Sequence, residues 1–302
     1  MYRKIMGFLE AWKESKHRKP LILQGARQVG KTYSILEFGR THYENVAYFN
    51  FETNPKLNET FEENISPDYL IPILSHIAGQ TIVKEKTLMV FDEVQLCERA
   101  LTSLKYFCEN APDYHIIVAG SLLGVAVNRA KFSFPVGKVD MKTLYPMDME
   151  EFMLALGEDD LVKQIKKCFQ TDTPLPSALH DAAMQLYRQY LVVGGMPECV
   201  MQFAGTKDYI LVRHTQDTIL ASYLNDMSKY NTLNEIKKTR LAYDNITVQL
   251  SKKNTRFQYK LIKKGGRASE FENAIEWLCL SGIVSQVYKV EQIKKPLENY
   301  RD

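Results

Sequence analysis

The chain is predicted to be an α/β protein: a parallel sheet covered by helices on both faces, a small helical segment after it, and a basic C-terminal domain. Three observations carry this expectation. Short β-type runs alternate with stretches of helical spacing through the first half. Those runs are unbroken in their apolar character, which belongs to strands buried on both faces. After Tyr145-Pro146 the strands stop. A length of 302 residues suits two or three domains. With 45% apolar and 25% charged residues the composition is that of a globular protein, which excludes disordered, collagen-like and disulfide-scaffold classes.

In chain order, strands are expected at residues 21–23, 46–51, 88–91, 115–119 and 139–141. Between them, Ile35, Leu36 and Phe38, and later Leu101, Leu104, Phe107 and Cys108, recur at helical spacing. Together these make an α/β domain over 1–145. Helices are expected over 148–156 and 179–193, separated by a loop at 171–176. Gly157 and Gly194-Gly195 stand where helices commonly end. This gives a helical segment over 146–204. In the third domain, 205–302, Ser269 and Glu272 have capping-box spacing and open a helix that Gly282 closes. Its apolar face is Phe271, Ile275, Leu278 and Cys279, and a strand is expected at 283–290. Helix, helix and β-wing is the order of a winged-helix fold.

The net charge of +3 averages two unlike parts: −3 over the first 205 residues and +6 over 206–302. Between Lys237 and Arg267 there are ten basic residues and one acid, Asp244. Two readings stand for Lys252, Lys253, Arg256, Lys260, Lys263, Lys264 and Arg267, with Phe257 and Tyr259 among them. They form either a track for DNA phosphates or the solvated face of a protein-interaction domain. Glu270, Glu272 and Glu276 on the following helix count against deep groove entry. The five cysteines have no metal-clip spacing and fit free thiols in a reducing compartment. The first five residues form no secretory leader, and the longest apolar-looking run has twelve residues where a membrane span needs about 20. The expectation is a cytoplasmic protein without a membrane segment.

The strongest motif is Gly25-Ala26-Arg27-Gln28-Val29-Gly30-Lys31-Thr32, followed by Tyr33. It fits the phosphate-loop pattern at every position, after a strand and opening a helix. Gly25 permits a sharp exit from the strand, and Gly30 permits close approach of phosphate to the backbone. Loop N–H groups and the helix N-terminus would meet the β-phosphate, Lys31 the β- and γ-phosphates, and the Thr32 hydroxyl Mg²⁺. Residues 87–91 form an apolar strand that leads into Asp92 and Glu93. Asp92 is expected to hold Mg²⁺ through water, and Glu93 to polarise a water for attack on the γ-phosphate. Ser121, after the strand at 115–119, could touch that water or the γ-phosphate. No Asn-Lys-x-Asp guanine-reading motif occurs, so ATP is expected over GTP.

With Phe91-Asp92-Glu93-Val94-Gln95, Ala119-Gly120-Ser121, Leu144-Tyr145-Pro146-Met147 and Gly194-Gly195-Met196-Pro197, the whole chain resembles a prokaryotic AAA-like ATPase family. In that family the ATPase precedes a domain of unknown function numbered 4143. The resemblance implies a P-loop core of the additional-strand type, with an inserted strand between the phosphate-loop and Asp-Glu strands, and Ser121 as sensor on it. It also implies ATP and Mg²⁺ as ligands. Gly194-Gly195-Met196-Pro197 is similar to a lid motif whose proline packs near the adenine, which would give Pro197 that place; a plain helix-ending turn is the other reading. Relatives form oligomers in which a neighbouring subunit supplies an arginine. Arg129 is either such a finger or a surface arginine, and Gly137-Lys138 stands where many relatives carry Gly-Arg. Relatives also continue into a nuclease-like module about where Tyr300-Arg301-Asp302 stands, so no nuclease activity is expected of these residues. A nucleotide-gated switch with little turnover is the alternative to an ATPase.

Overall fold

The structure is a computed structural model that describes residues 1–120, 134–229, 233–253 and 256–288. It packs as two units, Met1–Tyr223 and Leu224–Asp302.

The first unit is built on a five-stranded sheet, β1 (Leu21–Gln24), β2 (Asn45–Asn50), β3 (Thr87–Asp92), β4 (His115–Ala119) and β5 (Asp140–Thr143). The order across the sheet is β2-β3-β4-β1-β5, and every pairing is parallel. β3 and β4 are buried along their whole length and β1 over its first three residues. This is why their sequences are unbroken apolar runs. β4 stands between β1 and β3, as expected for an inserted strand.

Helices cover both faces. α1 (Ile5–Glu14) and α2 (Lys31–His42) belong to one layer, where Leu9, Trp12, Ile35 and Phe38 pack with Leu21, Leu23 and Val90. α3 (Lys56–Glu63), α4 (Pro67–Ala78) and α5 (Glu98–Asn110) form the other, where Phe61, Leu74, Leu104 and Phe107 pack with Ile22, Phe91 and Ile116. The aromatic rings Phe49, Phe51, Phe61 and Phe91 meet mainly edge-on, at 5.6–5.9 Å between centroids.

The helices α6 (Met149–Ala155), α7 (Asp159–Gln170), α8 (Ser177–Val193) and α9 (Pro197–Thr206) belong to the same unit as the sheet. α6 opens with a full capping box: the Asp148 carboxylate accepts from the Glu151 N–H, and the Glu151 carboxylate from the Asp148 N–H. α10 (Tyr209–Lys229) runs into the second unit.

The second unit contains α11 (Leu233–Leu250) and α12 (Ala268–Leu280). Phe271, Ile275 and Leu278 are buried, as their spacing predicts, and Cys279 is half-buried. The helix start differs from the expectation. Arg267 is the N-cap and no side chain caps the helix, so Ser269 lies inside the first turn. The expected strand at 283–290 is also corrected over its described part, 283–288, which forms no strand. Gly282, at φ 74°, turns the chain, and the Ile283 and Val284 N–H groups donate back to the Leu278 carbonyl. Those donors close the end of α12 instead of joining a ladder.

Candidate nucleotide-binding site

Among the described residues, the phosphate loop and Asp92-Glu93 both follow the carboxyl ends of strands, β1 and β3, where open α/β sheets place their ligands. Beyond β1 the chain turns at Gly25, with φ 149°. A Cβ there would overlap the carbonyl oxygen of Leu144, just past β5, so glycine is required on both counts. Ala26 and Val29 are buried and clamp the loop to the core, while Tyr33 is exposed. Gly30, at φ 88°, is the N-cap of α2, and its carbonyl accepts the first helical bond from Ser34, 2.9 Å. Gln28 also takes a positive φ, 63°.

The Lys31 side chain folds over the loop. Its Nζ donates to the carbonyls of Gly25 at 2.9 Å and Ala26 at 2.8 Å, and the residue is 7% exposed. Burial pushes its ammonium down to about 8, against the nearby charges of Glu93 and Asp92, which favour the proton.

Asp92 is the last residue of β3 and is buried. Its Oδ2 accepts from the Thr32 hydroxyl at 2.8 Å and from the Tyr48 hydroxyl at 2.7 Å. Its Oδ1 accepts from the Glu93 N–H at 3.0 Å. Asn50, in register with Asp92, donates to Tyr48 Oη at 3.2 Å. Glu93 has the left-handed backbone, φ 52°, and its carboxylate accepts from the Gln95 side-chain amide. Thr32 and Asp92 thus bring two hard oxygen donors together, the kind of set that suits Mg²⁺, which takes few protein ligands and completes its shell with phosphates and water.

The Gly194-Gly195-Met196-Pro197 segment is a helix-ending turn and also lies beside the loop. Gly194 closes α8 through its N–H to the Tyr190 carbonyl, 2.8 Å. A Cβ on Gly195 would overlap the Met147 carbonyl oxygen, and Met147 N–H donates to Gly195 O at 2.6 Å. The Pro197 Cγ stands 3.7 Å from where a Cβ on Gly30 would be. Ser121 and Arg129 lie outside the described residues.

Several contributors lie outside the sequence motifs. Arg3, 5% exposed, donates from Nη1 to the Val29 carbonyl at 2.9 Å and from Nη2 to the Tyr145 carbonyl at 2.7 Å. Its Nε pairs with Glu151 at 3.2 Å. The Tyr223 hydroxyl donates to the Arg27 carbonyl at 3.1 Å. Tyr48 had one legible sign, a hydroxyl and an amide (Asn50) on one face of an otherwise apolar strand. Arg3, in Tyr2-Arg3-Lys4, reads like a surface charge, and Tyr223 carries no sign at all.

Residues 17–153 match the family model described as an AAA domain. Residues 184–300 match one described as a domain of unknown function, numbered 8612 where the resemblance implied 4143. No curated protein matches the chain. Among solved structures, a Walker-type ATPase of Pyrococcus abyssi is 14% identical with a TM-score of 0.53, covering 93% of this chain and 89% of that one. The ORC2 protein of Aeropyrum pernix, solved in ADPNP–ADP complexes, is 12% identical with a TM-score of 0.46, covering 94% and 87%. The fold is that of a Walker-type P-loop ATPase, and over residues 17–153 the chain is similar to the AAA domain.

Proposed function

We propose that this protein binds ATP with Mg²⁺ and hydrolyses it to ADP and phosphate, coupling the cycle to a change of conformation. The observation that carries the reading is the convergence of Thr32 on Asp92, 2.8 Å apart, beside a phosphate loop whose lysine is folded into it. In this reading the amides of Gln28, Val29, Gly30, Lys31, Thr32 and Tyr33 hold the phosphates, with Gly25, Ala26 and Arg27 shaping the turn before them. Lys31 bridges the β- and γ-phosphates. Thr32 and Asp92 hold Mg²⁺, which when bound neutralises phosphate charge. Glu93 accepts the proton of the attacking water, Ser121 senses the γ-phosphate, and Pro197 packs beside the nucleotide. Steady-state ATPase assays test this. Glu93→Gln should keep nucleotide binding and lose turnover by about 10²-fold or more; Lys31→Ala should lose binding. Turnover at the wild-type rate in Glu93→Gln would refute the assignment of the base.

A specific observation also favours the slow-switch alternative: the Gln95 amide engages the Glu93 carboxylate. A base held this way is less free to accept a proton, so Gln95→Ala should raise turnover if that contact restrains it. Co-purified nucleotide with negligible ATPase activity in both forms would favour the switch. For the second unit we propose contact with DNA phosphates through Lys252, Lys253, Arg256, Lys260, Lys263, Lys264 and Arg267, all solvent-exposed. We also propose a homo-oligomeric assembly, as the AAA likeness suggests, and a cytoplasmic location; among the described residues no helix is long and apolar enough to cross a membrane.

A further inference from the structure

We infer that Arg3 and Tyr223 are positioning residues for the phosphate loop, each holding a loop carbonyl so that the next amide is presented to phosphate. The inference rests on the nucleotide-binding reading above and adds to it two residues far from the motif in sequence.

In a planar trans peptide the C=O and the following N–H point in opposite directions. Whatever fixes the Val29 carbonyl therefore fixes the direction of the Gly30 N–H, and whatever fixes the Arg27 carbonyl fixes the Gln28 N–H. Arg3 Nη1 takes the first carbonyl at 2.9 Å, and the Tyr223 hydroxyl takes the second at 3.1 Å. Both pins matter because the loop is conformationally exacting. Gln28 sits at φ 63°, a region that a residue with a Cβ rarely holds, two residues before Gly30 at φ 88°. Flipping either peptide would turn a carbonyl dipole toward the phosphates in place of an N–H.

The Arg3 pin is itself rigid. Its guanidinium is buried, and its Nη2 and Nε also donate, to the Tyr145 carbonyl at 2.7 Å and to Glu151 at 3.2 Å. Glu151 is held in turn by the Lys4 N–H at 2.7 Å and by the α6 capping box. Arg3 thus ties the loop to the stretch from Tyr145 to Glu151. A lysine at position 3 would keep the charge beside Glu151 but lacks the planar fork needed to serve both carbonyls.

The test is a titration of the full chain with a fluorescent ADP analogue, alongside thermal unfolding of the ligand-free protein. Wild-type binding comes first: if wild type does not bind, the nucleotide reading itself fails. If it binds, Arg3→Lys should weaken ADP binding about tenfold or more, and Tyr223→Phe severalfold, with ligand-free unfolding temperatures within a few degrees of wild type. Lys163→Met removes only an exposed pair with Asp160 on α7 and should leave affinity within about threefold. Should Arg3→Lys not fold, Tyr223→Phe, which keeps its ring, decides alone. Wild-type affinity in Tyr223→Phe together with wild-type affinity or no fold in Arg3→Lys overturns the inference. So does an equal loss in Lys163→Met.

Discussion

Lys31 is a residue whose charge its surroundings hold down strongly. Burial brings its ammonium down to about 8 from an ordinary 10.5, although Glu93 and Asp92 pull the other way. Two opposite pH effects follow. In the ligand-free protein the unfolded chain holds the proton more tightly between about 8 and 10.5, so this group's contribution to stability rises with pH across that window. Nucleotide binding goes the other way. The phosphates need the charged form, so above about 8 the ligand must restore a proton before it binds well. ADP affinity should fall roughly tenfold from pH 7 to pH 9, one unit above that value. Fluorescence titrations at several pH values check this. In Lys31→Met the affinity should be weaker throughout and flat over the same range. A wild-type profile as flat as that of the variant would mean the ammonium stays charged in the empty loop.

The turn between α8 and α9 shows how much a single Cβ can decide between two elements. Gly195 lies against Met147 so closely that any side chain would overlap the Met147 carbonyl oxygen, and the two backbones exchange a 2.6 Å hydrogen bond. Tyr190 secures the same Met147 carbonyl with its hydroxyl at 2.9 Å. Gly195→Ala should therefore destabilise the first unit by about 1–3 kcal/mol, read as a drop of several degrees in calorimetric Tm. An unchanged Tm would mean the backbones separate without cost.

Legibility in the sequence followed the same physical lines. β1, β3 and β4 could be read because strands covered on both faces need apolar residues at nearly every position. The phosphate loop and Asp92-Glu93 could be read because their spacing encodes chemistry. The helices α10 and α11 had no legible bounds: from 208 to 264 there is no glycine or proline to punctuate them. Arg3 and Tyr223 were illegible for a different reason. Each contacts a main-chain carbonyl, and a backbone partner leaves no mark in the identity of the residue it belongs to.

Across the molecule the charge is divided, −3 over the first 205 residues and +6 over the rest. Within the second unit the seven cations from Lys252 to Arg267 are exposed, with Lys263 paired to Glu270 at 3.4 Å. Glu272 and Glu276 are exposed on α12 and carry the same negative sign as a DNA groove. This arrangement suits phosphates and not base edges, so any duplex of adequate length should bind alike. If about six phosphates are neutralised, affinity should fall roughly 10³-fold between 50 and 200 mM salt. Fluorescence anisotropy with two unrelated duplexes measures both properties. Converting Lys252, Lys253, Lys260 and Lys264 to glutamate should abolish binding at 50 mM salt while nucleotide affinity stays as in wild type. No binding by the wild-type protein at 50 mM salt would leave the basic stretch as a solvated protein-facing surface; a strong preference between the duplexes would instead mean that α12 reaches bases despite its carboxylates.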